Sequence, residues 1–185
     1  MITVGGIKVH EFIARDGVYE DPSWTFDFGF DPAMGEDLAQ VTGSCKAILL
    51  GRQTYEMFYP AWSTRTAEED PGAPFFNHSP KYVVSGTLQQ ADWNNSTILG
   101  RYDAGAIREL KEQTDGDIYV SGSGTLVRAL IADGLADELH LFVYPVARGS
   151  GQRLFAGDGP ATTFSLAGTH SYSNGVVHLA YMLAK

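Results

Sequence analysis

The chain has 185 residues, of which 44% are hydrophobic and 19% charged, a profile typical of a soluble globule with one domain over residues 1–185 and a sizeable core. Its formal net charge of -9 argues against a surface for nucleic acid or anionic membranes, and no apolar run is long enough to span a bilayer. The single cysteine, Cys45, excludes an internal disulfide and a multi-cysteine zinc site. Without a signal-peptide pattern at the N-terminus, these features favour a cytoplasmic location.

Predicted strands and helices alternate along most of the chain. In chain order, the patterns predict a strand over 2–13, a helix over 31–41, a strand over 45–50, a helix over 52–58, strands over 81–84 and 96–99, a helix over 103–113, a strand over 117–120, a helix over 125–134 and a strand over 138–146. Asp31 and Asp103 are placed to cap their helices, and Gly134 is placed to end the last one. Such alternation predicts βαβ units and a mostly parallel sheet.

The C-terminal region follows a different pattern. Residues 163–183 contain Asn174-Gly175, a strong signal for a hairpin. A two-residue turn there would pair Tyr172 with Val177 and Leu166 with Leu183, which places apolar side chains on one face. The sequence therefore predicts an antiparallel hairpin at the end of an otherwise parallel sheet.

Glycines and hydroxyls stand where the strand over 117–120 meets the next helix. The turn Gly122-Ser123-Gly124-Thr125 lacks the third glycine of the dinucleotide fingerprint and the lysine of a P-loop. Glycines still allow an anion to approach the backbone, and a helix N-terminus offers free N–H groups and a positive dipole end. By itself the turn fits a phosphate cradle or, equally, a tight turn with a helix cap.

Two further strand ends carry the same chemistry. Gly51 follows a buried strand and precedes Arg52 and Thr54, and the strand over 81–84 leads into residues 85–87, Ser-Gly-Thr. Arg52 is either a phosphate-gripping fork or an ordinary surface arginine. Because ligands of open parallel sheets bind beyond the carboxyl ends of strands, three such turns predict one groove for a phosphorylated ligand such as a dinucleotide.

These turns also carry a family resemblance. Residues 49–58, 81–88, 117–155 and 173–182 resemble, in this order, the reductase domain of the bifunctional riboflavin-biosynthesis deaminase–reductases, which belongs to the dihydrofolate reductase-like superfamily. The resemblance implies a three-layer α/β/α fold around a mixed, mostly parallel sheet. It implies NADPH as cofactor and a homodimer. It also implies hydride transfer to a small polar heterocycle or ribosylamine, as in 5-amino-6-(5-phosphoribosylamino)uracil reductase.

The resemblance assigns roles to individual residues. The first turn would hold the cofactor's phosphates, with Arg52 favouring NADPH over NADH. The second would lie near the adenosine phosphate, and the third beneath the pyrophosphate and nicotinamide. The residues implied to bind the cofactor are Gly51, Arg52, Thr54, Ser85, Gly86, Thr87, Arg101, Gly122, Ser123, Gly124, Thr125 and Leu126.

Substrate and proton donor are less well marked. Met57 and Phe58 match positions that line the family's substrate pocket. Trp24 and Phe28, in an acidic and aromatic loop, would either stack on a flat substrate or close one end of the core. Asp31 lies nearest the place of the catalytic acid of dihydrofolate reductases, although the helix-cap interpretation is favoured.

Other chemistry finds little support. The five histidines, His10, His78, His140, His170 and His178, are scattered without the short spacing of metal ligands, so we expect no metal site. The chain lacks the His-x-Glu and Pro-Cys-x-x-Cys signature of the deaminase half. The leading hypothesis is therefore a stand-alone NADPH-dependent reductase. The alternatives are a non-catalytic nucleotide-binding module and a reductase of folates or other pterins.

Overall fold

A computed structural model describes residues 5–155, 157 and 159–184, which contain eight strands and five α-helices. The strands are β1 (Ile7–Ala14), β2 (Cys45–Gly51), β3 (Lys81–Val84), β4 (Ser96–Gly100), β5 (Asp117–Val120), β6 (Glu138–Tyr144), β7 (Phe164–Ser171) and β8 (Val177–Leu183). The helices are α1 (Pro32–Gly43), α2 (Arg52–Trp62), α3 (Ala73–His78), α4 (Ala104–Gln113) and α5 (Gly124–Ala132), with a 3-10 helix over Pro22–Phe28.

All eight strands form one sheet in the order β4-β3-β2-β5-β1-β6-β8-β7. The strands from β4 to β6 run parallel to their neighbours, whereas β8 is antiparallel to both β6 and β7. This confirms the predicted mixed, mostly parallel sheet with an antiparallel C-terminal hairpin.

Helices cover both faces of the sheet and confirm the three-layer arrangement. On one face, α4 and α5 bury Ile107, Val127 and Leu130 against the strands. On the other face, α1, α2 and α3 supply a second set of buried side chains, among them Tyr55 and Phe76. None of the described helices is both long and apolar enough to cross a membrane.

Local signals explain where two helices begin. The Asp31 carboxylate accepts a hydrogen bond of 2.9 Å from the Ala33 N–H, with Pro32 in the first turn. The Asp103 carboxylate accepts one of 2.8 Å from the Ala106 N–H. Both helices therefore start where the sequence predicts.

One prediction is wrong, one helix was not predicted, and one predicted strand extends beyond the described residues. The hairpin register is wrong by one residue, because Ser171 pairs with Val177 and a longer loop closes through Gly175 at φ 85°. A register shift between Leu166 and Gly168 then aligns Leu166 with Tyr181. Helix α3 was not predicted. The first strand begins at Ile7, and residues 2–4 of its predicted range lie outside the described residues.

Candidate functional site

The glycine turns that follow β3, β2 and β5 lie side by side. These three strands are neighbours in the sheet and run parallel, so their carboxyl ends meet at one edge. The Gly51 N–H donates a hydrogen bond of 3.2 Å to the Gly122 carbonyl oxygen, which joins the turn after β2 to the turn after β5. The structure therefore brings together the turns that the sequence placed at separate strand ends.

The contact between these two turns is too close for side chains on the glycines. A Cβ on Gly51 would overlap the Ser123 hydroxyl and lie 2.9 Å from the Ser123 nitrogen. A Cβ on Gly122, which has φ 86°, would lie 2.7 Å from Thr54 Oγ1 and 3.4 Å from Glu11 Oε1. Thr54 is buried beside this space. Both glycines are buried, and both are required by the close approach of the two turns.

Two helix N-termini open at this junction. Helix α2 starts at Arg52, directly after Gly51, and α5 starts at Gly124, directly after Ser123. Within the described chain, neither cap residue satisfies the first-turn N–H groups with a side chain. Two sets of N–H groups and two positive dipole ends therefore converge beside Gly122, an arrangement suited to an anion.

The turn after β3 is closed by its own serine. Ser85 Oγ accepts hydrogen bonds from the N–H groups of Thr87 (3.2 Å) and Leu88 (2.9 Å). A Cβ on Gly86 would lie 2.6 Å from Cγ of Arg101, so the Arg101 side chain crosses this turn. Ser85 thus fixes the shape of the turn. Because Gly86 has no side chain, the Arg101 side chain at the end of β4 can lie across the turn.

The remaining residues implied to bind the cofactor differ in exposure. Arg52 is exposed and forms an i,i+4 ion pair of 2.9 Å with Glu56. Thr125 is exposed, and its Oγ1 lies 3.4 Å from a guanidinium nitrogen of Arg128. Leu126 is buried in the core, so it supports the α5 turn and presents no side chain to the groove.

Trp24 and Phe28 pack into the core. Their rings contact Tyr144 edge-on at centroid distances of 5.4 and 5.6 Å, and Trp24 is 6% exposed. This arrangement matches the alternative in which they close one end of the core. On α2, Met57 is 45% exposed, whereas Phe58 packs against Phe76 at 5.7 Å.

Asp31 is fully engaged as a cap. Besides the Ala33 N–H, its carboxylate accepts hydrogen bonds from the N–H and hydroxyl of Ser173 in the hairpin loop. The Ser173 hydroxyl is the main cause that lowers the pKa of Asp31. Its neighbour on α1, Asp37, instead reaches the sheet and accepts hydrogen bonds from Tyr172 and from His170 Nδ1 at 2.7 Å. The hydrogen bonds of Asp31 are those of a helix cap that also holds the hairpin loop.

Sequence reasoning missed Glu11. This residue lies in β1, is 6% exposed, and its Oε1 has no hydrogen-bond partner among the described residues. Burial raises the pKa of Glu11 to about 8. The sequence did carry one signal, because Glu11 is an acidic residue within a mostly apolar strand. Its burial could not be predicted, because the residues that enclose it come from other parts of the chain.

Tyr19 covers part of the junction. A Cβ on Gly124 would overlap the Tyr19 phenol, whose hydroxyl donates a hydrogen bond of 3.0 Å to Gln152. Tyr19 is half-buried on the loop after β1. Of two surface depressions, one is lined by Asn77 and Trp93, and the other by Arg148 and by Glu20, the residue next to Tyr19. The junction therefore has an aromatic residue at its α5 end.

The groove fits a dinucleotide phosphate group on its own chemistry. It combines two helix N-termini, the cations Arg52 and Arg101, and the Glu11 oxygen that has no partner among the described residues. No group of His, Cys, Asp or Glu within the described ranges is arranged to hold a metal ion. The histidines form contacts within the protein, such as His140 Nδ1 to His178 Nε2 at 3.0 Å.

Comparisons with known proteins define the class of protein. The model of the RibD C-terminal domain family matches residues 7–178, so the chain belongs to this family. Protein YyaP of Bacillus subtilis is 27% identical over 176 residues, which cover 91% of this chain and 90% of that protein.

Solved structures agree on the fold. RibD of Acinetobacter baumannii superposes with a TM-score of 0.68 at 16% identity, covering 97% of this chain and 58% of that chain. A dihydrofolate reductase of Enterococcus faecalis, solved with NADP(H), superposes with a TM-score of 0.60 at 13% identity over 100% of both chains. The fold is therefore that of dihydrofolate reductase, as the resemblance implied.

Proposed function

We propose that the protein is an NADPH-dependent reductase that transfers hydride to a small polar heterocycle or ribosylamine. The observation that carries this proposal is the junction of Gly51 and Gly122, where two helix N-termini meet and neither cap residue bonds the first-turn N–H groups with its side chain. Membership of the RibD C-terminal domain family supports an oxidoreductase of the riboflavin-biosynthesis type. The substrate class follows 5-amino-6-(5-phosphoribosylamino)uracil reductase.

The chain's own residues would bind and orient the cofactor. The first-turn N–H groups of α2 and α5 would hold phosphate oxygens, and Arg52 and Arg101 would add positive charge along the groove. Arg52 would have to exchange its pairing with Glu56 for the ligand. Bound NADPH supplies the hydride, and the protein supplies orientation and electrostatics.

Thermal shift titration with NADPH and NADH tests the cofactor. A ligand that binds only the folded protein at 100 times its Kd adds about 2.7 kcal/mol of stability, so binding is readily seen. We expect NADPH to stabilise the protein more than NADH.

Arg52→Met should weaken NADPH binding about 10-fold with little effect on NADH binding. Arg65→Met is the matched control, because Arg65 pairs with Asp70 beyond the C-terminal end of α2. Equal stabilisation by both nucleotides would contradict the role of Arg52.

Turnover separates a reductase from a binding module. We expect NADPH oxidation with a ribosylaminopyrimidine in a substrate panel. Binding without oxidation of NADPH by any member of that panel would favour a non-catalytic module, which the full engagement of Asp31 in capping leaves open. A folate or pterin reductase has support from the fold alone. Methotrexate that fails to displace a folate-like substrate at high concentration would count against it.

The proposed enzyme acts as a cytoplasmic homodimer. Strand β7 has one neighbour in the sheet, and Leu166 on it is 57% exposed. A strand edge with an exposed leucine is suited to pairing with a second copy of the chain. Sedimentation equilibrium should give twice the mass of one chain, and Leu166→Lys should shift the protein toward the monomer.

A further inference from the structure

A buried acid faces the junction of the two glycine turns. Glu11 Oε1 lies 3.4 Å from the position that a Cβ of Gly122 would occupy, and Thr54 Oγ1 lies 2.7 Å from the same position. Glu11 is buried, with 6% of its surface exposed, and Oε1 has no hydrogen-bond partner among the described residues. Buried polar atoms are nearly always paired, so an unpaired oxygen beside the junction of two helix N-termini indicates a partner supplied by a ligand.

The residues around Glu11 carry no charge at neutral pH. Leu141 pairs with it on β6, and Gly122 and Thr54 face it from the turn after β5 and from α2. Tyr119 on β5 is a titratable group that interacts electrostatically with Glu11. Burial raises the pKa of Tyr119, so its phenol stays neutral. Burial accordingly raises the pKa of Glu11 to about 8.

Arg52, Arg128 and His10, which lie on the elements around Glu11, have other partners. Arg52 in the first turn of α2 pairs with Glu56. Arg128 on α5 donates to backbone carbonyl oxygens, including that of Leu154 at 3.3 Å. His10, next to Glu11 in β1, projects to the opposite face of the sheet and bonds to the Tyr119 hydroxyl at 2.7 Å.

A neutral acid is the form compatible with an anion in this groove. An ionised carboxylate beside the N-termini of α2 and α5 would repel the phosphate that those termini attract. A protonated carboxyl has an O–H that can donate to a phosphate oxygen. Binding of the anion should therefore favour the protonated form further.

We propose that Glu11 binds the pyrophosphate of NADPH as a neutral carboxylic acid, donating a hydrogen bond to a phosphate oxygen. This inference rests on the proposed function. Where Glu11 is ionised in the free protein, binding takes one proton from solvent onto the carboxylate, and no covalent bond of the cofactor changes. NADPH affinity consequently falls as pH rises above the pKa of Glu11.

Calorimetric titration in buffers of different ionisation enthalpy measures this proton uptake. At pH 8.5 the wild-type protein should take up roughly three quarters of a proton per NADPH, and the Kd should rise about tenfold per pH unit above pH ~8. The phosphates of NADPH are fully ionised in this range, so they do not contribute. The fragment 2′-phospho-ADP-ribose, which lacks nicotinamide, should show the same uptake.

Variants separate a ligand contact from a structural role. Glu11→Gln keeps a donor and removes the titration, so we expect NADPH binding that takes up no proton and has a Kd independent of pH. Glu11→Leu removes the donor and should weaken binding about 10-fold at pH 7. His10→Gln is the matched control and should keep the wild-type uptake, because burial holds the pKa of His10 at about 3.

Each contrary outcome points to one claim. NADPH binding without proton uptake, or equal uptake by wild type and Glu11→Gln, overturns the role of Glu11 and leaves the proposed function intact. Uptake with NADPH that is absent with 2′-phospho-ADP-ribose overturns the assignment to the pyrophosphate. Failure of the wild-type protein to bind NADPH at any pH overturns both the proposed function and this inference.

Discussion

Single glycines set the distance between the turns at the groove. Gly51→Ala would drive a methyl group into the Ser123 hydroxyl and backbone nitrogen, so one turn must move away from the other. We expect a loss of about 1–3 kcal/mol in the free energy of unfolding and a loss of NADPH binding. Urea denaturation and titration of NADPH measure the two effects. Gly43→Ala is the control, because a Cβ there meets nothing within 4 Å, and it should leave both properties near wild type or raise stability.

Glu11 makes the stability of the protein depend on pH. Its folded pKa is about 8 against an ordinary value of 4.5, so its contribution is fully present below pH 4.5 and is lost as pH rises through 8. The loss is about 1.4 kcal/mol per pH unit across that window. Glu11→Gln should therefore gain stability over wild type progressively from pH 5 to pH 8. Equal urea midpoints for both proteins at pH 8 would show that Glu11 is not a buried neutral acid.

At the scale of elements, the aspartates that cap α1 and α4 differ in their hydrogen-bond partners. Asp103 caps α4 alone, and Asp103→Ala should cost about 1 kcal/mol of unfolding free energy. Asp31 caps α1 and also binds Ser173 in the hairpin loop, so Asp31→Ala should cost more. A double-mutant cycle of Asp31→Ala with Ser173→Ala should show coupling, and a cycle of Asp103→Ala with Ser173→Ala should show none. Additive effects in the first cycle would mean that the tie between α1 and the hairpin contributes nothing.

Elements defined by neighbouring residues were predictable from the sequence. The caps at Asp31 and Asp103 act within one helical turn, and the glycine turns stand directly after apolar strands. Helix α3 was missed because much of its support comes from other segments of the chain: the Phe76 ring stacks on Trp62 of α2 at 4.2 Å and contacts Tyr119 of β5 edge-on at 5.7 Å. Glu11 was missed for the same reason, since its burial comes from β5 and β6, which join β1 only in the folded sheet.

At the scale of the whole molecule, the groove is a property of the strand order. Strand β5 lies between β2 and β1, although β2 is followed along the chain by β3. This order brings the turn at Gly122 between the turn at Gly51 and the side chain of Glu11. The three sequence segments become one site only through the crossover connections of the parallel sheet.

The same strand order predicts that the chain unfolds as one domain. Trp24 reports on the core beside α1, and Trp93 reports on the core beside α2 and α3. Both cores pack on strands of one continuous sheet, so neither can be lost without exposing the other. In urea, fluorescence of variants that keep only Trp24 or only Trp93 should give the same midpoint as far-UV circular dichroism of the same variant. Saturating NADPH should raise all of these midpoints together. Separate midpoints for the two tryptophans would divide the chain into two folding units, and the groove, which spans strands from β4 to β1, would then have to assemble from both.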